Sequence, residues 1–273
     1  MDILKIELTV LWAALVCYSL VTVFAVIGAV FRREFSRILP LLIGAGVIMH
    51  TMAIAMRWGR IDRAPVSNAF EMMSANLWGL MLAVAIGYWL LPRVRAFLVV
   101  VMPIIIMLMA WLMLKPTEGA MVPPTYKTIW LFIHIGLIKL FIGSAFIALG
   151  VVGIILLRKF DFWRDRFAHL PDDNVLDQRA YRFMAVALIF DTLGISAGAI
   201  WAQDAWGRYW QWDPLETWSL LTWLSIALSL HVRAPFKTSP TTNAWLTVGV
   251  FIVAFFTFFG IPFVSTGLHK GQI

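Results

Sequence analysis

Charge and thiols are what this sequence has least of. Only 14% of its 273 residues are Asp, Glu, Lys or Arg, against 61% hydrophobic, and the mean hydropathy is +0.84. These values lie far outside those of water-soluble domains, so the solvent of this chain is a bilayer. At about 20 apolar residues per spanning helix, the length allows at most roughly a dozen spans and no sizeable soluble domain beside them. A single cysteine, Cys17, lies inside the first apolar run. One thiol excludes an intrachain disulfide and CxxC redox chemistry, and it reads as a small buried hydrophobe. Val16 is not the small residue a lipoprotein cleavage site needs, and no A-x-A site follows the run, so the first segment is expected to stay as a retained span. The net charge is +7, yet the basic residues are scattered at the ends of apolar runs. That is the distribution of a topology signal and argues against a nucleic-acid-binding patch. No internal repeat or low-complexity tract is present.

Apolar runs occur at about 6 to 30, 39 to 56, 69 to 91, 96 to 114, 128 to 157, 181 to 201, 218 to 232 and 245 to 263. The expected fold is therefore an all-α, polytopic membrane protein of about eight spans, a single membrane domain over 1–273. The run at 218 to 232 is short for a span, so its helix must begin within the preceding segment or be shortened at its ends. Alternate connections carry Arg32, Arg33 and Arg37; Arg93 and Arg95; Arg158, Lys159, Arg164, Arg166, Arg179 and Arg182; and Arg233 and Lys237. These 13 basic residues outnumber the 8 of the opposite face, which puts them in the cytoplasm and both termini outside. The 57 to 63 turn, with Arg57, Arg60 and Arg63, runs against that bias. The connection at 158 to 180 is charged and aromatic, and is expected to lie along the membrane surface as an interfacial helix.

The external face then carries the most unusual segment, Trp201 to Trp223, reading WAQDAWGRYWQWDPLETWSLLTW. It holds six of the 14 Trp residues beside Asp204, Asp213 and Glu216. An interfacial anchoring belt accounts for two or three tryptophans but not for six. Trp206, Trp210 and Trp212, interrupted by Gly207 and followed by Asp213-Pro214, suit a platform of flat apolar faces at the edge of water. Such rings offer area for stacking a planar ligand such as a porphyrin, while the indole N–H still finds a polar partner.

The run WGRYWQWDPLETW, continuing to Leu230-His231-Val232-Arg233, resembles the WWD signature of heme-handling cytochrome c maturation proteins, in the CcsA (ResC) version rather than the CcmC or CcmF versions. The resemblance extends to Leu176-Asp177, Tyr181-Arg182, Pro65-Val66-Ser67-Asn68 with Glu71, and Gly267-Leu268-His269, and so covers most of the chain. It implies a System II subunit that brings heme b to the external face and holds it for covalent attachment to the CxxCH cysteines of apocytochrome c. It also implies a CcsB-type membrane partner, a bacterial cytoplasmic (inner) or thylakoid-type membrane, and a place in a cytochrome c heme lyase or synthase complex. The site residues it implies are Trp206, Trp210, Trp212, Asp213, Glu216 and Trp218 on the platform, with iron ligands among the histidines.

Neutral imidazole is a common axial ligand of heme iron, and only five histidines need weighing. His134 lies about six residues into the fifth span, roughly 9 Å below its external end. His269 follows the eighth span on the same side. Both match the external histidines of the family and are the expected ligands there. His231 lies 13 residues beyond Trp218, hence roughly 20 Å deeper, and the resemblance makes it a ligand of a second, inner heme whose other ligand comes from the partner. His50 reads as a packing or hydrogen-bonding residue, and His169 as an ordinary loop residue. Lys139 and Asp191, at similar depth in the fifth and sixth spans, are expected to form an internal ion pair, with a proton relay as the alternative.

Thioether attachment needs reduced iron, accessible vinyl groups and two thiols from the substrate protein. This chain supplies no thiol, which leaves room for a thiol-reducing partner, and it shows no general acid or base that the reaction clearly needs. Its expected contribution is positioning and redox protection. Asn68 and Glu71 either cap the third span or form part of a substrate groove. Two rivals differ in class. A heme exporter or carrier without a role in ligation would use the same residues. A membrane b-type cytochrome would want paired histidines on facing helices at matching depths, an arrangement this sequence lacks.

Overall fold

The computed structural model describes residues 3–117 and 128–261. Every regular element in them is helical: α1 (Ile3–Phe31), α2 (Ile38–Ile61), α3 (Ala69–Leu90), α4 (Leu98–Met113, entered through a 3-10 turn), α5 (Ile129–Leu157), α6 (Asp161–Arg166), α7 (Asp173–Trp206), α8 (Pro214–Phe236) and α9 (Pro240–Phe255). In a bilayer core each unsatisfied backbone group is costly, and a helix satisfies them within one segment. Seven of these helices are long and apolar enough to cross a membrane. The eighth long helix, α8, has the length, at 23 residues. It is less apolar because it begins inside the Trp-rich segment and carries Glu216, Thr217, Ser219, Thr222, Ser225 and Ser229. The chain is thus an all-α, multi-pass membrane protein, as its composition requires.

Helix α7 departs from the expected boundaries. It starts at Asp173, where Asp172 accepts the N–H of Val175, and runs 34 residues. Residues 173 to 180, expected in a surface connection, are its first two turns. Only α6, six residues long, remains of the expected interfacial helix. Polar side chains such as Gln178 and Arg179 hid this start, because they interrupt the apolar run without interrupting the helix.

The chain forms two compact units. The first comprises Met1–Ala120 with Leu156–Pro171, the second Met121–Ile155 with Asp172–Ile273. In the first unit α1 packs on α2 and α4, and α3 on α2 and α4. The connection after α5 is tied to the end of α1 by Arg32, which donates to the Asp165 carbonyl at 2.8 Å, and by Arg166, which donates to the Val30 carbonyl at 3.1 Å. His50 is fully buried, with Nδ1 3.4 Å from the Tyr18 hydroxyl and Nε2 3.1 Å from Ser74 Oγ. Both ring nitrogens are engaged, so it is a hydrogen-bonding core residue, as expected.

An ion network closes one end of this unit. Arg57, 2% exposed, donates to Glu7 at 2.8 Å, to Glu71 at 3.2 Å and to the Thr117 carbonyl at 2.6 Å. Arg60 reaches Glu7 at 2.9 Å and Arg63 reaches Glu71 at 2.9 Å. Glu71 also accepts from the backbone and hydroxyl of Ser67, each at 3.0 Å, while Asn68 caps α3 by accepting the Glu71 N–H at 2.8 Å. Of the two roles weighed for Asn68 and Glu71, capping is the one seen. Pairing also explains why three arginines can gather at this turn, since two buried glutamates offset most of their charge. Arg57→Leu would strand Glu7 and Glu71 without their shared partner, and is expected to lower stability by about 3–5 kcal/mol. Thermal unfolding of the detergent-solubilised variant measures this, and an unchanged transition would contradict the network's role.

Candidate functional site

In the second unit α8 packs on α7 and α9, and α7 on α9, while two glycines let α5 come close to α7. A Cβ at Gly194 would stand 2.7 Å from Ile138 Cδ1, and one at Gly198 would stand 2.7 Å from His134 Nδ1. With no side chain in the way, His134 Nδ1 approaches the Gly194 carbonyl oxygen at 2.8 Å. A carbonyl only accepts, so Nδ1 carries the proton in this bond and Nε2 is the lone-pair nitrogen, the form in which histidine ligates a metal. The ring lies parallel to Trp201, at 14° with centroids 6.4 Å apart, and Trp201 in turn meets Trp206 edge-on at 4.9 Å. Leu131 and Trp201 are both buried at this contact.

Beside this contact lies a partly open pocket. His134, Ile138, Ile195, Gly198 and Trp201 line one part of it, and Trp206, Tyr209, Trp210, Glu216 and Phe258 the other. Its lining is mostly apolar with few polar atoms, as in many small-molecule and cofactor sites. One of those is left over: Trp210 Nε1 is buried and has no hydrogen-bond partner. A buried donor without an acceptor is uncommon and suits a ligand that brings one.

The Trp-rich segment reaches this position through two helix ends. Helix α7 stops at Gly207, whose φ of +74° provides the left-handed residue that ends many helices and whose N–H bonds the Gln203 carbonyl at 2.9 Å. Helix α8 starts at Pro214 behind a reciprocal cap: Asp213 accepts the Glu216 N–H at 2.8 Å, and Glu216 accepts the Asp213 N–H at 3.4 Å. Glu216 further accepts the Gln211 N–H at 2.7 Å. Between these anchors Trp212 is held at φ +61°, a conformation non-glycine residues seldom adopt, with its ring 68% exposed and edge-on to Trp210. Asp213 and Glu216 thus fix the loop.

Of the residues singled out from the sequence, His134, Trp206, Trp210 and Glu216 meet at one cavity. Trp212 stands exposed beside Trp210. Trp218 packs edge-on against Phe256 at 4.7 Å and does not line the cavity. His231 is exposed in the last third of α8, where its Nδ1 meets the Ala227 carbonyl at 2.8 Å, leaving Nε2 as its lone-pair nitrogen too. His169 is exposed in a turn. His269, and the Gly267-Leu268-His269 motif with it, lies outside the described residues. The Lys139–Asp191 ion pair is not formed: Asp191 is fully buried and neither carboxylate oxygen has a hydrogen-bond partner. Ile138 is the α5 residue seated on Gly194, which puts Lys139 about 100° further round that helix. Gly194, Gly198, Tyr209 and Phe258 went unread in the sequence. The four-residue spacing of the two glycines was the available signal for the first pair; Phe258 reaches the cavity from the π-helical turn that extends α9, which has no comparable signature.

A family model described as "Cytochrome C assembly protein" matches residues 66–269, three quarters of the sequence. The chain belongs to that family. Family membership assigns it a role in cytochrome c maturation. It is similar to the cytochrome c biogenesis protein CcsA of Guillardia theta, at 28% identity over 97% of this chain and 94% of the relative. CcsA of Prochlorococcus marinus is 26% identical over 89% of this chain and 87% of that protein, and CcsA of Gloeobacter violaceus 27% over 94% of both. The resemblance of the motifs to CcsA agrees with these relatives. Among solved structures, one titled "Cytochrome c Heme Lyase CcmF" shares the fold with a TM-score of 0.66 at 17% identity. It aligns with 95% of this chain, which spans about half of that longer protein, 47%.

The glycine contacts of this family member make a test. At Gly194 the added methyl meets the end of a flexible Ile138 side chain, whereas at Gly198 it meets the imidazole ring of His134. Gly198→Ala is expected to displace His134 and destabilise the unit by about 1–3 kcal/mol, with Gly194→Ala closer to neutral. Thermal unfolding of the two variants compares them, and equal transitions would contradict the packing described.

Proposed function

We propose that this chain is the heme-handling subunit of a System II cytochrome c synthase. It binds heme b at the α5–α7–α8 cavity and presents it at the external face for attachment to the CxxCH cysteines of apocytochrome c. The observation that carries the reading is His134, whose Nδ1 is committed to the Gly194 carbonyl and whose Nε2 is therefore basic, beside a Trp-lined cavity with an unsatisfied Trp210 N–H. That donor set fits a porphyrin: a nitrogen ligand for iron, aromatic faces for the ring, and an N–H for a carboxylate oxygen of the side chains. His269 supplies the second ligand on this face. In the attachment itself each cysteine S–H adds across a vinyl C=C, sulfur bonding one carbon and the proton going to the other. The thiols come from the apocytochrome, and a thiol-reducing partner keeps them available. The chain's own residues hold and orient the substrate and keep water from the iron.

His231, with its basic Nε2 exposed in the last third of α8, is the ligand through which heme enters from the inner side, and a CcsB-type membrane subunit provides the opposing ligand. In this reading both termini are external. The membrane is a bacterial cytoplasmic or thylakoid-type one.

Absorption spectroscopy of the detergent-purified chain, co-expressed with its partner, tests the assignment. Wild type should carry b-type heme. His134→Ala or His269→Ala should reduce bound heme by about tenfold or more, since even loss of a ligand's hydrogen-bonded support has effects of this size, and added imidazole should restore binding. Unchanged heme content in both variants would make the Trp-rich loop a membrane anchor. Co-expression with and without a CxxCH substrate separates ligation from mere carriage: a carrier would load heme equally well but leave the substrate without thioethers.

A further inference from the structure

Asp191 is absorbed by none of this. It sits within the 34-residue helix α7, fully buried, with both carboxylate oxygens lacking a hydrogen-bond partner. Ala187, Asp191, Gly194 and Trp201 are all buried on α7 at helical spacing, so Asp191 shares the stripe whose Gly194 carbonyl holds His134. By helical rise it lies about 4.5 Å below Gly194 and about 6 Å below Ile195 in the cavity wall. A carboxylate without donors in so apolar a setting is far less stable than the neutral acid. A positive charge placed nearby is what would stabilise its ionised form.

A ferric heme held at His134 would bring such a charge, because its iron core carries one net positive charge that the ferrous core lacks. For unit charges on the order of 10 Å apart in a medium of effective dielectric about 20, such an attraction changes an equilibrium roughly tenfold. We propose that Asp191 is a redox-linked proton site for the heme held by His134, an inference that rests on the heme-binding reading. Reduction of that iron by a low-potential one-electron donor would be accompanied by uptake of one proton from water onto the Asp191 carboxylate, and reoxidation would release both. Protons thereby favour the ferrous form, the one attachment requires. The surrounding ionisable groups do not duplicate this role. Helix α5 presents His134 and Lys139, α8 carries Glu216 in its first turn and His231 and Arg233 in its last turns, α9 carries none, and Asp177, Arg182 and Asp204 lie toward the ends of α7.

The test is a spectroelectrochemical titration of the heme band at several pH values, on the heme-loaded chain with its membrane partner. In wild type the midpoint potential should fall between an acid and an alkaline plateau by about tenfold in the reduction equilibrium, about 59 mV for one electron. Asp191→Asn, close in shape to the neutral acid, should hold the acid-plateau value at every pH, and Asp191→Glu should keep the dependence. Redox-difference infrared spectroscopy gives a second readout that needs no variant: a protonated carboxyl C=O band should appear on reduction. A pH-invariant wild type without that band, or an Asn variant with the wild-type dependence, overturns the proton linkage and leaves heme binding standing. A wild-type chain that carries no heme overturns both.

Discussion

The hydrogen bond from His134 Nδ1 to the Gly194 carbonyl is the interaction on which the rest of the site depends. It fixes which ring nitrogen is basic, and it exists only because Gly194 and Gly198 let α5 and α7 come within side-chain contact of each other's backbone. The same approach sets Trp201 parallel to the imidazole and leaves the cavity open toward Trp206 and Trp210. A methyl group in place of one hydrogen on Gly198 would act on the ligand itself.

Solvent dictates where polar groups go in such a chain. With no water in the hydrocarbon core, charges must find each other, as Arg57, Glu7 and Glu71 do, or stay neutral. The Asp213–Glu216 cap shows a milder version of the constraint, with two carboxylates spent on backbone N–H groups so that Trp212 can hold a strained conformation. Asp191 has neither an ion-pair nor a hydrogen-bond partner among the described residues, and that departure from the pairing seen elsewhere is what gives it meaning.

Much of the fold was legible because bilayer thickness sets the length of each apolar run, so counting runs counts long helices. Where polar residues entered a helix the reading slipped: α7 began about two turns earlier than its apolar run, and α8 was readable only by extending it back into the Trp-rich segment. The site was legible in part. Tryptophan density marked the loop and depth selected His134, but depth carries no information about direction around a helix. Lys139 and Asp191 share a depth, yet Ile138 is the α5 residue seated on Gly194 and the Asp191 carboxylate has no hydrogen-bond partner among the described residues. Asp213 and Glu216 were read as part of the ligand platform; the Asp-Pro-x-Glu spacing is also that of a helix cap, which the hydrogen bonds form while Glu216 lines the cavity.

Electron cryo-microscopy of the heme-loaded chain with its membrane partner tests the central claim most directly. The account predicts planar density for a porphyrin in the cavity beside Trp206 and Trp210, with iron bonded to His134 Nε2 and Nδ1 still on the Gly194 carbonyl. A cavity filled by lipid or by its own side chains, with heme bound elsewhere or through another residue, would contradict it.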